Sequence, residues 1–512
     1  MQIETNIIKH FDGKLEFKSY LGNFFIYGDL PVNLGSMNIS LVFEETYSLN
    51  KYRIKIDLFE KEQVVRYAKK ISEAENINCN EIDIQLSLLT NELEKYRELD
   101  FIKNKFLFPS KTKYDLEPKE ESAARELLES SDLMNNLNSL IEESGITGEE
   151  NNRLLLFLIA SSYKSSNPLH AIISGSSGSG KSHLTNKIAA MIPEEDVINL
   201  TRVSNKSFFN FCEKDLKNKL LVIQDYDGLD IDAQYALREM QSSNFLSYSV
   251  SVKNKYGNYT SQIKKIQTHF SSICTTTKNA IYWDNSSRSL IIGVDESDSQ
   301  TNKIINYQRL ANKELNFKSK QETKITLVKN CVRILKSYEV INPFADKISL
   351  PIEIKSIRRL NQHFQDFISQ ITLIHQYQRK KDKNNNLYST IEDVEIAANL
   401  FFEILIGKID ELDSQLRVFF EKLKKYISKQ SKNYEFTTKE IRENLNVSKT
   451  QVFRFFNELK ELEYLTITKG SSNKGFYYKI NHWDDNVKMK IELKKMINSQ
   501  VVDLKKRKNE KK

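Results

Sequence analysis

The pattern of apolar and polar positions changes several times along the 512 residues of the chain. The first segments, such as "LEFKSYLGNFFIYGDL" and "MNISLVFEE", are short and alternating, which predicts a small β-rich unit. Val, Ile and Leu then recur at three- and four-residue spacing within residues 60–102, which predicts amphipathic helices. Residues 109–125 are charged and poor in apolar residues, so a linker is predicted there.

Further along, apolar runs of strand length alternate with helical patterns between roughly residues 150 and 300. This alternation is typical of a parallel sheet covered by helices. The pattern is helical from 300 to about 420, and residues 430–480 predict helix, turn, helix and two short strands. The final "LKKRKNEKK" is a charge run, for which disorder is predicted.

The chain is therefore predicted to be a multidomain α/β protein with several cores. The predicted domains are an N-terminal α+β domain at 1–108, a linker and helix at 109–149, an α/β core at 150–300, a helical lid at 301–425, a helix-turn-helix unit with two strands at 426–482, and a basic helical or disordered tail at 483–512.

One loop in the α/β core carries a phosphate-binding pattern. The sequence GSSGSGKS matches G-x-x-x-x-G-K-[ST] in full, with an apolar run before it and a helical pattern after it. Glycines let backbone N–H groups point at phosphate oxygens, and the following helix presents its positive end to the same anion. Lys181 is predicted to neutralise the β- and γ-phosphates of ATP, and Ser182 to bind Mg²⁺. A flexible Ser/Gly turn is the alternative reading. The predicted nucleotide-binding residues are Gly175, Ser176, Ser177, Gly178, Ser179, Gly180, Lys181 and Ser182.

Further stretches follow in a fixed order. The apolar strand "LLVI" leads into "QDYD", an alternating segment at 248–266 predicts a β-hairpin, and "TTT" at 275–277 ends another strand. Arg288 then closes "DNSSR", and "SIRRLNQ" opens a later helix. From about residue 50 to 480, this order resembles the MCM-like (minichromosome maintenance-type) AAA+ helicases of bacterial mobile elements and prophages.

The resemblance implies a P-loop AAA+ core with a helical lid, and it implies roles for three further residues. Thr276 would be the sensor of the γ-phosphate, Arg288 the arginine finger that reaches the neighbouring subunit's nucleotide, and Arg358 the second-sensor arginine. An arginine finger places a delocalised cation on the charge that develops as the γ-phosphoryl group leaves. Such arginines imply a homo-hexamer. For a single arginine, a surface salt bridge is the alternative.

The segment "QDYD" departs from the family pattern Asp-Glu-Phe-Asp, because only one of the two adjacent acids is present. In one alignment Gln224 replaces the metal-associated carboxylate and Asp225 the glutamate that polarises water. In the other, Asp225 is the carboxylate on the Mg²⁺ side and Tyr226 takes the glutamate position. An amide can orient a metal-bound water but cannot accept a proton. Asp225 is the predicted essential acid, and Asp227 is either a second one or a plain loop acid.

Two segments are predicted to contact DNA. Lys253 and Lys255 lie near the hairpin turn, where related helicases contact the strand in the pore; a solvated hairpin is the alternative. Residues 436–480 predict a winged helix-turn-helix, in which Val452, Phe455, Phe456 and Leu459 of the second helix face inward. Such modules also bind proteins. The predicted DNA contacts of this unit are Lys449, Gln451 and Arg454 on the second helix and Lys474 on the wing.

Composition adds little to this picture. The net charge of +8 suits nucleic acid or a solvated surface, and the four cysteines stand too far apart for a zinc or disulfide pattern. No apolar run has the length of a signal peptide or membrane span, which favours a cytoplasmic protein. The leading hypothesis is an ATP-driven, ring-forming DNA helicase or translocase in replication of a mobile element or prophage. The alternatives are a nucleotide-gated DNA-binding regulator with little hydrolysis and an ATPase component of phage defence.

Overall fold

The computed structural model describes residues 6–10, 14–31, 33, 35–45, 50–104, 114–204, 206–211, 215–253, 259–278, 288–313, 317–351, 357–410, 412, 414–471, 475–484 and 486–509. Its internal contacts divide the chain into two units, Met1–Ser110 and Lys111–Lys512.

The first unit is an antiparallel sheet with two helices. Its elements are β1 Ile7–Lys9, β2 Leu15–Ser19, β3 Gly22–Tyr27, β4 Asn38–Glu45, β5 Lys51–Asp57, α1 Lys61–Glu75 and α2 Cys79–Asn104. The strands pair antiparallel in chain order. Phe24 and Phe43, whose ring centroids are 4.7 Å apart, lie in a core shared with the apolar faces of both helices. The predicted small α+β unit is confirmed.

A five-stranded parallel sheet lies at the centre of the second unit. The strands of this region are β6 His170–Ser174, β7 Val197–Leu200, β8 Lys217–Ile223, β9 Phe245–Lys253, β10 Tyr259–Gln267, β11 His269–Thr276 and β12 Leu290–Gly293. Five of them form the sheet in the order β12-β6-β11-β8-β7, with every neighbouring pair parallel. The carboxyl ends of β6, β8 and β11 therefore meet at one edge, and the predicted parallel sheet is confirmed.

Helices flank this sheet, so its strands are apolar along most of their length. In β8, Leu220, Leu221, Val222 and Ile223 are each 0% exposed. Burying one such side chain stabilises a fold by about 1.5–3 kcal/mol. The helices are α3 Pro118–Glu129, α4 Leu133–Glu143, α5 Glu150–Ser161, α6 Lys181–Ala190, α7 Ile231–Ser243, α8 Asp298–Lys313, α9 Phe317–Ile334, α10 Ile357–Ile374 and α11 Ile391–Ile409. Two short strands, β13 Val340–Ile341 and β14 Leu387–Tyr388, pair in parallel beside α10.

Helix α3 occupies part of the segment predicted to be a linker. It begins with a proline in its first turn, and Glu117 and Glu120 form a reciprocal capping box. Ala124 and Leu128 are buried against the core of the unit, in contact with α9. The linker prediction is therefore wrong from Pro118 onward, because Ala124 and Leu128 anchor a helix in which six of the twelve residues are charged.

Strands β9 and β10 form a separate antiparallel ribbon between α7 and β11, as the alternating pattern predicted. Lys253 pairs with Tyr259 at its distal end. The turn, including Lys255, lies outside the described residues. Tyr259 is 75% exposed and Ile263 is 80% exposed, so the ribbon stands out from the surface of the unit.

The C-terminal part of the chain begins with a small cluster of helices and strands. Its elements are α12 Ser414–Ile427, β15 Phe436–Thr437, α13 Thr438–Leu445, α14 Lys449–Glu461, β16 Leu465–Ser471 and β17 Gly475–Ile480. The strands form an antiparallel sheet in the order β15-β17-β16. Side chains of Thr437 and Ser448 cap α13 and α14. The four residues predicted to face inward on α14 are buried, namely Val452, Phe455, Phe456 and Leu459.

The last helix, α15, spans Asn486–Asn509. It packs against α11 through Leu493, Ile497, Val501 and Leu504, which join the core of the second unit. The disorder predicted for the tail is therefore wrong as far as Asn509. Apolar residues at three- and four-residue spacing hold the helix upstream, and the charged residues continue its last turns.

Candidate functional site

The phosphate-loop sequence lies between β6 and α6 and has the backbone shape that its glycines allow. Gly178 and Gly180 adopt φ values of 82° and 94°, which side-chain-bearing residues rarely adopt. A Cβ atom on Gly175 would lie 2.5 Å from Val294 Cγ2, so this position also excludes a side chain. The loop therefore curls tightly before α6 begins at Lys181, with the positive end of the helix beside it.

Lys181 is held against this loop. Its side chain is buried, and Nζ donates hydrogen bonds to the carbonyl oxygens of Gly175, at 2.9 Å, and Ser176, at 2.6 Å. Burial lowers the pKa of the Lys181 ammonium, while the negative charges of Glu296 and Asp227 act in the opposite direction. Both acids are thus close enough to Lys181 to affect the pKa of its ammonium group.

Gln224 follows β8 and faces helix α6. Its Nε2 donates to Asn186 Oδ1 at 3.0 Å and to Asn199 Oδ1 at 3.3 Å. Asn186 lies one helical turn after Ser182, so the Gln224 amide is on the side of α6 that carries the predicted Mg²⁺ ligand. This placement fits the alignment in which Gln224 replaces the metal-associated carboxylate.

Asp225 is exposed at the turn after β8. Its Oδ1 accepts a hydrogen bond from the N–H of Gly228 at 3.0 Å. The carboxylate keeps three further lone-pair positions and open access to solvent. It can thus contact a bound water, as the predicted essential acid requires.

Asp227 is bound to the end of β11, where the γ-phosphate sensor was predicted. Thr276 Oγ1 donates to Asp227 Oδ1 at 2.5 Å, and Thr277 donates to Oδ2 from its N–H at 2.7 Å and its hydroxyl at 2.9 Å. Burial alone would raise the pKa of Asp227, but these hydrogen bonds outweigh it and hold the pKa below its usual value. Asp227 is thus a charged acid fixed beside the buried Thr276.

Glu296 is a residue of the loop region that no motif indicated. It lies three residues beyond the end of β12 and accepts two hydrogen bonds of 2.7 Å, from the N–H and the hydroxyl of Ser176. The only sequence signal was indirect: β12 and β6 are parallel neighbours, so a polar residue just after β12 lies at the edge that holds the loop.

The two predicted arginines lie on other elements, before β12 and on α10. Arg288 precedes β12 and bonds Ser242 Oγ of α7 at 2.5 Å. Since β12 runs parallel to β6, with Leu290 opposite Ala171, Arg288 is at the far end of the strands, about 13 Å or more from the loop at 3.3 Å per residue. Arg358 is exposed in the first turn of α10. The structure therefore does not bring Arg288 together with the loop of the same subunit.

A cavity of about 740 Å³ lies beside the loop helix. Its walls come from α4, the segment before α5, α8 and α9, and they include Thr147, Tyr307, Leu310 and Phe317. His183 of α6 bonds the carbonyl oxygen of Gly145 at 2.9 Å, which joins α6 to this wall. Six of the thirteen described lining residues are charged, and the rings of Tyr307 and Phe317 offer apolar contact for a flat heterocyclic ring.

The predicted DNA-contact residues have different surroundings. Lys449 is exposed at the start of α14, whereas Gln451 is used as a cap: its Oε1 accepts from the Ser448 hydroxyl at 2.9 Å. Arg454 is partly exposed and donates to Gln415 Oε1 of α12 at 3.1 Å. Lys474 lies outside the described residues. Sequence reasoning missed Phe453, which is 68% exposed on the same helix.

Comparison with known proteins agrees with the loop geometry. Residues 117–338 match a family model described as the MTBMA_p00010 P-loop domain. This part of the chain is similar to that P-loop domain. P-loop domains bind nucleoside phosphates through the backbone of this loop.

The other comparisons are more distant. A solved structure, a full-length MCM homolog from Methanopyrus kandleri, is similar over 58% of this chain, with 14% sequence identity and a TM-score of 0.38. The matched part is 63% of that protein, so the chain spans less than two thirds of it. The search of curated proteins returned no match. In the parts of the chain that are described, every helix is too short or too polar to cross a membrane.

Proposed function

We propose that this protein is an ATP-driven, ring-forming DNA helicase or translocase that acts in replication of a mobile element or prophage. The observation that carries the proposal is the meeting of three segments at one edge of the parallel sheet. These are the loop with Lys181, the turn from Gln224 to Asp227, and the end of β11 at Thr276. Nucleotides bind at the carboxyl ends of the strands in sheets of this kind.

The residues of this edge divide the work of hydrolysis. The loop amides and Lys181 bind the phosphates of ATP, and the cavity beside α6 accepts the base. Mg²⁺ suits the donors present, because it takes one or two oxygen ligands from protein and the rest from phosphates and water. Ser182 would hold it, with Gln224 orienting a bound water, and it would offset the charge of the phosphates. Asp225 orients the attacking water, and Thr276, fixed by Asp227, contacts the γ-phosphate.

The position of Arg288 supports a ring. It lies at the opposite end of the strands from its own phosphate loop, so it can assist hydrolysis only at the site of a neighbouring copy. A guanidinium group there would neutralise charge that develops on the γ-phosphoryl group. A closed ring gives every subunit such a neighbour, and six copies is the number that the resemblance implies.

Two exposed elements would contact DNA. The β9-β10 ribbon carries Lys253 at its distal end and would contact one strand in the centre of the ring, with Lys255 as the second predicted contact. The α12–β17 cluster has the order and sheet of a winged helix, with Lys449 and Arg454 on the helix that would enter the major groove of a duplex.

ATP turnover tests the proposal. We expect turnover stimulated by single-stranded DNA, and loss of at least about 100-fold in Lys181→Ala and Arg288→Ala, since each removes a cation that faces the developing charge. The wild type should also separate a forked duplex, and both variants should fail. Stimulation that survives in Lys181→Ala would show that the activity does not come from this site.

A nucleotide-gated DNA-binding protein with little hydrolysis is the second candidate, and the neutral Gln224 favours it. The two candidates differ in what Gln224 and Asp225 do. In an ATPase, Asp225→Ala abolishes turnover while nucleotide binding remains, and Gln224→Glu preserves or raises turnover because a carboxylate offsets the Mg²⁺ charge better. Wild-type binding without measurable turnover would support the regulator instead.

A further inference from the structure

Ser176 of the phosphate loop is held from two sides. Its N–H and hydroxyl donate to the two carboxylate oxygens of Glu296, each at 2.7 Å. Its carbonyl oxygen accepts a hydrogen bond of 2.6 Å from Lys181 Nζ. Glu296 therefore holds Ser176 in place, and the carbonyl oxygen of Ser176 helps to hold Lys181.

Gly175 makes this arrangement possible. A Cβ atom there would lie 3.1 Å from Glu296 Oε1, in addition to its close approach to Val294. The carboxylate therefore lies close to the first residue of the loop. Among the loop positions, the absence of a side chain at Gly175 is thus explained by the approach of Val294 Cγ2 and Ser179 Oγ, at 2.5 and 2.7 Å, with Glu296 Oε1 next. The positive φ angles explain Gly178 and Gly180.

Glu296 is also connected to the proposed DNA-reading helix. Gln415, in the first turn of α12, donates from Nε2 to Glu296 Oε1 at 3.3 Å. Gln415 Oε1 accepts a hydrogen bond of 3.1 Å from Arg454 Nη2 of α14. A continuous chain of hydrogen bonds therefore joins Arg454, Gln415, Glu296 and Ser176.

We propose that Glu296 is a positioning residue for the phosphate loop, and that Gln415 couples it to α14 so that nucleotide and duplex DNA oppose each other's binding. The coupling rests on the proposed function. A DNA phosphate binds a guanidinium group more strongly than a neutral amide does, so a bound duplex withdraws Arg454 from Gln415. The hydrogen bonds that Glu296 accepts from Gln415 and Ser176 then lose their cooperative support. The two hydrogen bonds from Ser176 to Glu296, here called the clamp on Ser176, weaken as a result. Linkage requires the reciprocal effect: nucleotide weakens duplex binding by the same factor.

The positioning role is tested by nucleotide affinity, measured by calorimetry with a non-hydrolysable ATP analogue and Mg²⁺. Glu296→Ala should bind about three- to tenfold more weakly, with Glu296→Gln between it and the wild type, because the amide retains one acceptor oxygen. In turnover, KM for ATP should rise while kcat at saturation changes by less than about twofold. The matched control is Glu492→Ala, an exposed glutamate on α15. Wild-type affinity in Glu296→Ala would overturn the role.

The coupling is tested by repeating the titration with a saturating duplex of about 30 base pairs. The wild type should bind the analogue about fivefold more weakly when the duplex is present. In Gln415→Ala, the ratio of affinities with and without duplex should fall to about one, provided that direct titration shows the variant binding the duplex. A ratio that persists in Gln415→Ala, or duplex that strengthens nucleotide binding in the wild type, would overturn the coupling.

Lys181→Ala separates a failure of this inference from a failure of the proposed function. If Lys181→Ala binds the analogue as tightly as the wild type, the nucleotide site itself is wrongly placed. If Lys181→Ala binds weakly and the wild type binds duplex, but Glu296→Ala and Gln415→Ala behave as wild type, only the clamp and its coupling are refuted.

Discussion

At the residue scale, Asp225 and Asp227 show what a motif can and cannot specify. The strand "LLVI" predicted that an acid would follow at the carboxyl edge, and the structure places both acids there. Asp225 accepts a hydrogen bond from Gly228 in the same turn, whereas Asp227 accepts one from Thr276 at the end of β11, 49 positions further along the chain. The resemblance identified Thr276, yet the bond from Thr276 to Asp227 became visible only in three dimensions.

Another acid, Asp366 of α10, makes the stability of the protein depend on pH. Burial raises its pKa to about 6, although hydrogen bonds from Gln362, at 2.9 Å, and Asn167, at 3.1 Å, act in the opposite direction. A raised pKa means that the folded state disfavours the charged carboxylate. Stability from this group is therefore full only below about pH 3.8, where the acid is neutral in both states, and is lost as the pH rises through about 6.

Asp366→Asn should remove this dependence. Both hydrogen bonds go to Oδ1, so the amide can accept them and avoids the cost of a buried charge. We expect a gain of about 1–3 kcal/mol at pH 8 and almost none near pH 3, measured by urea unfolding across this range. Asp503→Asn, an exposed acid on α15, should follow the wild-type curve. An equal gain at both pH values would contradict the assignment to Asp366 titration.

At the element scale, periodic spacing predicted those elements whose apolar face is wide. Helix α14 and its buried residues followed from the three- and four-residue spacing alone. Helix α3 was missed because only Ala124 and Leu128 are buried in a charged segment. Spacing also gives no information on side-chain hydrogen bonds, so it did not reveal that Gln451, a predicted DNA contact, accepts one from the hydroxyl of Ser448.

Phe453 gives α14 an apolar group at its exposed face, and we expect it to contact thymine. Apolar side chains on a major-groove helix pack against the thymine 5-methyl group. Replacing thymine by uracil in an A·T-containing duplex should weaken wild-type binding about fourfold, from a buried methyl of about 0.8 kcal/mol. Phe453→Ala should bind the thymine duplex more weakly and lose the difference between the two duplexes. Fluorescence anisotropy measures both affinities.

The control for Phe453 is Ile341→Ala, which removes an apolar side chain that is 39% exposed on β13. It should keep the thymine preference of the wild type. Equal wild-type affinity for the thymine and uracil duplexes would refute the methyl contact. Phe453→Ala that keeps the full thymine preference would assign the methyl contact to another residue.

At the scale of the whole molecule, the parts of the site that sequence could predict are those that are local in the chain. The phosphate loop spans eight consecutive residues, and its glycines reveal its shape. The clamp on that loop could not be predicted, because Ser176 and Glu296 are 120 positions apart and Glu296 and Gln415 are 119 apart. The order β12-β6-β11-β8-β7 brings Glu296 and Ser176 to one edge, since β12 and β6 are neighbours.

The placement of Arg288 predicts complementation between two inactive variants. If each active site takes its loop from one subunit and its arginine from the next, Lys181→Ala supplies intact arginines and Arg288→Ala supplies intact loops. Mixed rings from equal amounts should then contain a complete site at about a quarter of their interfaces, and turnover should recover towards that fraction. Each variant alone is the control, and both should be inactive at the same total concentration. An arginine that serves its own subunit's loop would give no recovery at any mixing ratio, since neither chain would then hold a complete site.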